Sequence, residues 1–110
     1  MTIVHVVLFE WKPSASHAQV EEACSRMLAL KDECLSASSQ KPYIKSFSGG
    51  RNNSPEGHAG AFTHGFVVEF ESADDRDYYV SEDPAHQDFV KLTGPHIENV
   101  KVLDYEPGKL

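Results

Sequence analysis

The sequence predicts an α+β fold in which three helices cover one face of a four-stranded antiparallel sheet. Two observations support this prediction. Four short stretches are rich in β-branched and aromatic residues, and three others show helical spacing of apolar residues behind capping residues. The stretches follow the order β-α-β-β-α-α-β, and helices arranged in this way pack on one face of the sheet.

The length and composition are those of an ordinary globular domain. The chain has 110 residues, 40% of them apolar and 25% charged, so residues 1–110 are expected to form one domain with a modest core. The formal net charge of −7 argues against nucleic acid and anionic membranes as partners, because both call for a basic face. No apolar run approaches the roughly 18 residues that span a bilayer, and no basic segment typical of a signal peptide opens the chain.

The first strand is predicted over residues 2–11, which are rich in Val and Ile. One of its faces carries Ile3, His5, Val7, Phe9 and Trp11, and the other carries Val4, Val6 and Leu8. Because both faces are apolar, this strand should be covered on both sides.

The first helix is predicted over residues 16–35, after a break at Pro13. Ser16 and Gln19 have the spacing of a capping box, which marks the first turn. The inner stripe of this helix consists of Ala23, Met27, Leu30 and Cys34, with Val20 and Cys24 beside it.

The two cysteines are expected to be reduced. Ten residues of helix separate Cys24 from Cys34 by about 15 Å, which is too far for a disulfide. Reduced thiols are typical of an intracellular protein, so a cytoplasmic location is expected. Cys24 is predicted to lie in the core and Cys34 to be half exposed.

Two strands follow this helix. The second strand is predicted over residues 42–49, and Gly49 and Gly50 are expected to end it. Its apolar members are Tyr43, Ile44 and Phe47. The third strand is predicted over residues 61–71, after a polar loop. The residues that share one of its faces are His64, Phe66, Val68 and Phe70.

The last third of the chain predicts two helices and a strand. Ser72 caps a short acidic helix over residues 73–81, and Asp83 with Pro84 begins the next helix, which stops at Gly94 and Pro95. The inner stripe of that helix is predicted to be Ala85, Phe89 and Leu92. The final strand is predicted over residues 98–105, with Val100 and Val102 on one face and Leu103 and Tyr105 on the other.

The first strand is apolar on both faces and the last strand nearly so, which predicts an assembly. The helices can cover only one face of the sheet, and an apolar face left open would be unusual in a monomer. A second copy packed sheet to sheet in a homodimer would cover it.

Five segments resemble the stress-responsive A/B barrel domain, and the resemblance covers nearly the whole chain. The segments are IVHVVLFEWK, PYIKSFSGGRNNSPEG, THGFVVEFES, and DPAHQDFV followed by VLDYEP. The resemblance implies a ferredoxin-like fold paired into a dimeric α+β barrel with the helices outside. Some members are stress-induced proteins without a known reaction. The polyketide-cyclase branch, typified by olivetolic acid cyclase, closes a linear polyketide by an aldol condensation without a cofactor.

The resemblance to the cyclase branch implies a site. His86 matches the histidine that acts as the base, and a tyrosine just upstream assists it. The cyclase pattern is Tyr-x-x-His-Pro-Ala-His, whereas this chain has one extra residue and Asp83 in place of the first histidine. A strict count falls on Val80, so Tyr79, or else Tyr78, is the candidate partner. The residues implied to line the substrate pocket are His5, Val7, Phe9, His64, Phe66 and Val68.

The position of His86 supports the same role on physical grounds. In the first turn of a helix, the helix dipole disfavours an imidazolium, and partial burial acts in the same direction. A neutral imidazole near pH 7 is what a general base requires. A structural histidine that bonds to the cap or to a neighbouring strand is the alternative.

His5 and His64 lie on apolar strand faces, where a histidine is most often a core residue with a satisfied hydrogen bond. Two of them on a face with aromatic residues also fit a polar spot in an apolar pocket. No ligand spacing supports zinc, so no metal is expected.

Two hypotheses follow from these residues. In the first, the protein is a cofactor-independent lyase or cyclase that acts on an apolar, carbonyl-bearing metabolite, with His86 as general base. In the second, the same pocket binds such a metabolite in a non-catalytic stress-responsive dimer. A pure scaffold with a filled core is the third possibility.

Overall fold

Four strands and three helices form in the predicted order in the computed structural model of the protein, which describes residues 1–110. The elements are β1 (Ile3–Trp11), α1 (His17–Glu33), β2 (Ile44–Arg51), β3 (His64–Phe70), α2 (Ala73–Ser81), α3 (Pro84–Thr93) and β4 (Ile97–Tyr105), with a 3-10 turn over Gly94–His96 before β4. The predicted α+β class and the β-α-β-β-α-α-β order are confirmed. No helix combines the length and the apolar character needed to cross a membrane.

The four strands form one antiparallel sheet in the order β2-β3-β1-β4. His5 in β1 lies opposite Val68 of β3 and Asp104 of β4, so these three side chains share a face. That face is the one the helices cover. β1 and β3 are the two inner strands of the sheet, and β1 has more buried residues than β3.

The core lies between the sheet and the helices. Met27, Leu30 and Cys34 of the predicted α1 stripe are each at most 2% exposed, as the 3.6-residue period requires of a helix that lies flat on a sheet. Ser16 caps α1 in the predicted capping box with Gln19. The aromatic rings of Phe66, Phe70 and Tyr79 complete the most deeply buried part of the core.

The predicted burial of the two cysteines is wrong. Both thiols are free, but Cys34 is completely buried and Cys24 is only partly covered. Cys34 caps the C-terminus of α1 and continues its inner stripe, whereas Cys24 lies beside that stripe. The cytoplasmic location inferred from the reduced thiols stays a prediction.

The predicted inner stripe of α3 is also wrong at one position. Leu92 is 56% exposed, and Thr93 is buried in its place. His86 and Phe89 of α3 both line the space beneath the helix, and Thr93 follows Phe89 by four residues, on the same face. Leu92 therefore points to the side of that face.

Gly49 and Gly50 do not end the second strand as predicted. β2 continues through both glycines to Arg51 and stays paired with β3. Gly49 lies opposite Phe66, and a Cβ atom on Gly49 would be 2.1 Å from Cδ1 of that ring. The glycine is needed for close packing of an aromatic ring and does not mark a turn.

The face of the sheet that points away from the helices carries exposed apolar side chains. Leu103 is 67% exposed, Tyr105 48% and Val67 38%. They surround Val6 of β1, which pairs with both Val67 and Leu103. This patch, formed by Val6, Val67, Leu103 and Tyr105, is called the outer sheet face below.

Candidate active site

A cavity of about 800 Å³ lies between the sheet and helices α2 and α3. His5, Val7 and Phe9 of β1 form its floor, in the alternation that points every second residue of a strand to one side. Tyr79 of α2 and the pair His86 and Phe89 of α3 form its opposite wall. The cavity opens along the edge strand β4, where Val100 and Val102 line its rim.

The start of α3 determines where His86 lies. Asp83 is the N-cap, as predicted, and its carboxylate accepts a hydrogen bond from the backbone N–H of Ala85 at 2.9 Å. The hydroxyl of Tyr43 donates a second hydrogen bond to the same carboxylate. Pro84 begins the helix, so His86 lies at its third position and faces the cavity.

His86 stacks on Tyr79. The two ring centroids are 4.1 Å apart and the ring planes meet at 25°. Nδ1 of His86 and the hydroxyl of Tyr79 are both buried without a hydrogen-bond partner in the protein. Buried polar atoms of this kind are uncommon, and here the two residues that carry them stack on each other beside one cavity.

The surroundings of His86 favour its neutral form. Burial is the largest effect and lowers the pKa of His86; the backbone of Tyr79 opposes it, the neighbouring His5 lowers the pKa further, and the carboxylate of Asp83 raises it by the smallest amount. Burial also raises the pKa of Tyr79, with further contributions from Cys34 and Asp83. An unprotonated imidazole next to a protonated phenol combines a proton acceptor with a hydrogen-bond donor.

His5 is oriented by a carboxylate. Its Nδ1–H donates to Oδ1 of Asp104 at 2.6 Å, and its ring contacts Tyr79 edge to face at 5.9 Å. The other oxygen of Asp104 accepts a hydrogen bond from Nη1 of Arg76 at 2.9 Å, and Arg76 also bonds to Asp77. These side chains form the polar end of the cavity.

Asp104 and Arg76 are missing from the residues predicted to form the site. The alternation of the last strand contained a signal for Asp104, since it places this carboxylate on the same face as Val100 and Val102. An acidic residue on an apolar strand face calls for a partner. Nothing in the sequence indicates that Arg76, which lies in α2, pairs with Asp104 in β4.

The predicted site residues divide into two groups. Those at the cavity are His5, Val7, Phe9, Tyr79 and His86. The others, His64, Phe66 and Val68, do not line it. Phe66 and Val68 are at most 1% exposed within the core, because β3 lies on the far side of β1 from the cavity. His64 accepts a hydrogen bond from Nε1 of Trp11 at 3.1 Å, near one end of the sheet.

The helix also distinguishes between the candidate tyrosines. Tyr78 points away from the cavity and contacts the ring of Tyr43 edge to face. Val80, where the strict count falls, is a half-exposed residue at the rim. Of the three consecutive residues, Tyr79 alone contacts His86 through a ring. No group of three His, Cys, Asp or Glu side chains has the arrangement needed to hold a metal ion.

Comparisons with known proteins agree with this fold. The family model of the stress-responsive A/B barrel domain matches residues 3–107. None of the proteins with curated descriptions matches the chain significantly in sequence.

Three solved structures are similar to this chain over nearly their whole length. The Arabidopsis thaliana protein At3g17210 is 27% identical, with 98% of this chain and 97% of that one covered and a TM-score of 0.79. The hydroxynitrile lyase from Passiflora edulis is 23% identical, with 99% and 96% covered and a TM-score of 0.82. A dimeric ferredoxin-like protein of unknown function from Jannaschia sp. CCS1 is 22% identical, with 96% and 99% covered and a TM-score of 0.76. At the two lower identities, the similarity shows a shared ferredoxin-like fold.

Proposed function

The chain belongs to the stress-responsive A/B barrel domain family, and from that premise we propose that it is a cofactor-independent lyase or cyclase for an apolar, carbonyl-bearing metabolite. One observation carries the proposal. Tyr79, His86 and His5 converge at the polar end of a cavity whose remaining wall includes Val7, Phe9 and Phe89. A few polar groups that converge in an apolar cavity are typical of sites for small molecules.

The proposed chemistry begins with proton transfer. His86 takes a proton from the carbon next to a carbonyl group, and the electron pair of the C–H bond moves into an enolate. Tyr79 or His5 donates a hydrogen bond to the enolate oxygen, where the negative charge develops. In a cyclisation, the enolate carbon then attacks a second carbonyl carbon of the same chain. No electron acceptor is needed, because nothing is oxidised or reduced overall.

A carbon–carbon lyase uses the same groups in a related step. The base takes the hydroxyl proton of a hydroxynitrile, the bond between the carbinol carbon and the nitrile carbon breaks, and cyanide leaves with the electron pair as the carbonyl forms. The similarity to the Passiflora edulis enzyme supports this reaction class through the shared fold alone. Both reactions need a base beside an oxygen that gains or loses charge.

Deuterium exchange tests the proposed base. An aryl alkyl ketone such as propiophenone is incubated with the protein in D₂O, and loss of the α-proton signal is followed by NMR. We expect the wild type to catalyse exchange, and His86→Ala to lower the rate by about 100-fold or more, because general-base catalysis contributes at least this much. His17→Ala is the matched control, since His17 is exposed on α1 far from the cavity.

The same experiment separates catalysis from two alternatives. Equal rates for the wild type and His86→Ala would contradict the proposal. A melting temperature that falls together with activity would make His86 a structural residue. Binding of the ketone without exchange would favour the second candidate, a non-catalytic ligand-binding protein, which the apolar part of the cavity supports by itself.

We also propose that the protein forms a homodimer through the outer sheet face. Leu103 and Tyr105 are large apolar side chains exposed next to each other on one face of the sheet, and exposed apolar patches often mark protein–protein contacts. The Jannaschia protein is dimeric with the same fold, which supports the proposal without establishing it for this chain. In this arrangement the helices and both cavities remain on the outside of the assembly.

A further inference from the structure

We propose that Asp104, held by Arg76, is a positioning residue that fixes His5 as the second proton-transfer group of the site, opposite His86. This inference rests on the proposed function. It adds two residues, from β4 and α2, to a site otherwise composed of β1, α2 and α3 side chains.

The hydrogen bond to Asp104 determines how the ring of His5 is turned. A carboxylate only accepts hydrogen bonds, so Nδ1 of His5 must carry the hydrogen in the 2.6 Å contact. Nε2 has no partner in the protein and is not among the fully buried polar atoms, so the space available to it is the cavity that His5 lines. Asp104 thus presents Nε2 to a bound molecule.

This orientation is kept in both charge states of the ring. Nδ1 donates to Asp104 whether or not Nε2 carries a proton, so His5 can release a proton and take it back without turning. A histidine without such a partner would exchange between tautomers and orientations. Two aromatic rings further restrict the orientation of the His5 ring. Its centroid lies 5.9 Å from that of Tyr79 and 6.2 Å from that of Phe70.

Arg76 holds the carboxylate in turn. Its guanidinium donates to Oδ2 of Asp104 at 2.9 Å and to Asp77 at 2.8 Å, so each oxygen of Asp104 has a partner. The link joins α2 to the edge strand β4, which has no other strand beyond it to hold it. Without Arg76, Asp104 would be free to rotate towards solvent.

The proposed division of labour balances the protons of an aldol step. His86 removes one proton from carbon, the enolate carbon forms the new carbon–carbon bond, and the attacked carbonyl oxygen takes one proton from Nε2 of protonated His5. One C–H bond and one C=O π bond are replaced by one C–C and one O–H bond. Exchange with solvent then returns a proton to His5 and removes one from His86.

The orientation of His5 can be measured without any substrate. Long-range ¹H–¹⁵N spectra of the full-length protein report which imidazole nitrogen is protonated, and His5→Gln assigns the signals. We expect Nδ1 of His5 to stay protonated from pH 5 to pH 8 in the wild type. In Asp104→Ala the Nε2–H tautomer should appear at the high end of this range. An unchanged spectrum in Asp104→Ala would overturn the positioning role.

The catalytic part has its own readout. In the propiophenone assay, Nε2 of His5 donates to the enolate oxygen that forms as His86 takes the α-proton. Asp104→Asn and His5→Gln should therefore each lower kcat by about 10- to 100-fold with little change in KM, because the group lost acts on charge that develops in the transition state. Arg76→Gln, which keeps both His5 and Asp104, should give a smaller loss. It also provides the test if Asp104 variants do not fold.

The outcomes distinguish the two proposals. An altered tautomer with an unchanged rate, while His86→Ala is inactive, would overturn the catalytic role of His5 and leave the proposed function standing. A wild-type protein that exchanges no protons would overturn the proposed function and the catalytic half of this inference together. The NMR result decides the positioning role in either case.

Discussion

Tyr79 and His86 each bury a polar atom that bonds to nothing in the protein. Leaving such an atom unpaired costs roughly 1–3 kcal/mol, which a structural histidine would normally avoid through a hydrogen bond. The rings that carry these atoms stack on each other beside the cavity, but neither atom is exposed to it, so a bound carbonyl compound can pair with the phenol only after one of the two side chains shifts. The local cost is therefore understandable if the two residues serve a ligand.

The lowered pKa of His86 predicts the acid side of the pH profile. The active form is the unprotonated one, and burial keeps it unprotonated at pH values where an ordinary histidine, with a pKa of about 6.5, is half charged. As the pH is lowered, kcat/KM for α-proton exchange should therefore fall to half of its maximum at a pH below 6.5. A midpoint above 6.5 would contradict the assignment of His86 as the base.

Among the elements, β2 shows how one glycine serves packing. Gly49 has room only for a hydrogen atom against the face of Phe66, which is itself 1% exposed and central to the core. Gly50, the next residue, has nothing within 4 Å of the position that a Cβ atom would take. The two adjacent glycines therefore differ in what they can tolerate, although both lie in the same strand.

This difference predicts unequal effects of the same substitution. Gly49→Ala should lower the free energy of unfolding by about 1–3 kcal/mol, because the added methyl group overlaps the Phe66 ring. Gly50→Ala should change it by less than about 0.5 kcal/mol. Urea denaturation of the two variants and the wild type measures both values. Equal effects would show that Phe66 can move aside.

The start of α3 matters to the site through its cap. Asp83 is 1% exposed, and it accepts hydrogen bonds from Ala85 and Tyr43 in the connection between α2 and α3. Tyr79, near the end of α2, reaches His86, near the start of α3, across the joint between the two helices.

For the whole molecule, the two faces of the sheet have separate consequences. One face supports the helices and the cavity, whereas the outer sheet face remains open. His5, Tyr79 and His86 all line the cavity of one chain, so the proposed dimerisation is not needed to bring them together. Assembly and site can be perturbed independently.

A charge on the outer sheet face should prevent dimerisation. Leu103→Glu places a carboxylate at a position that the proposed interface buries, whereas Leu92→Glu adds the same charge to the exposed side of α3. Sedimentation velocity at micromolar concentration should show a monomer for Leu103→Glu and a dimer for both the wild type and Leu92→Glu. A wild-type monomer would contradict the proposed interface.

The sequence by itself determined the element order, the α1 stripe of Met27, Leu30 and Cys34, and the caps at Ser16 and Asp83. These features are local, because periodicity and capping depend on residues a few positions apart. The same local information was misleading at Gly49, where a residue from another strand explains the glycine.

Only the tertiary structure decided which residues meet at the cavity. Successive residues of α2 point about 100° apart, so a count along the chain could not choose among Tyr78, Tyr79 and Val80. The contact of His5 with Asp104 joins residues 99 positions apart, and that of Arg76 with Asp104 joins two separate elements. Such contacts depend on strand order and helix placement, which no local pattern in the sequence specifies.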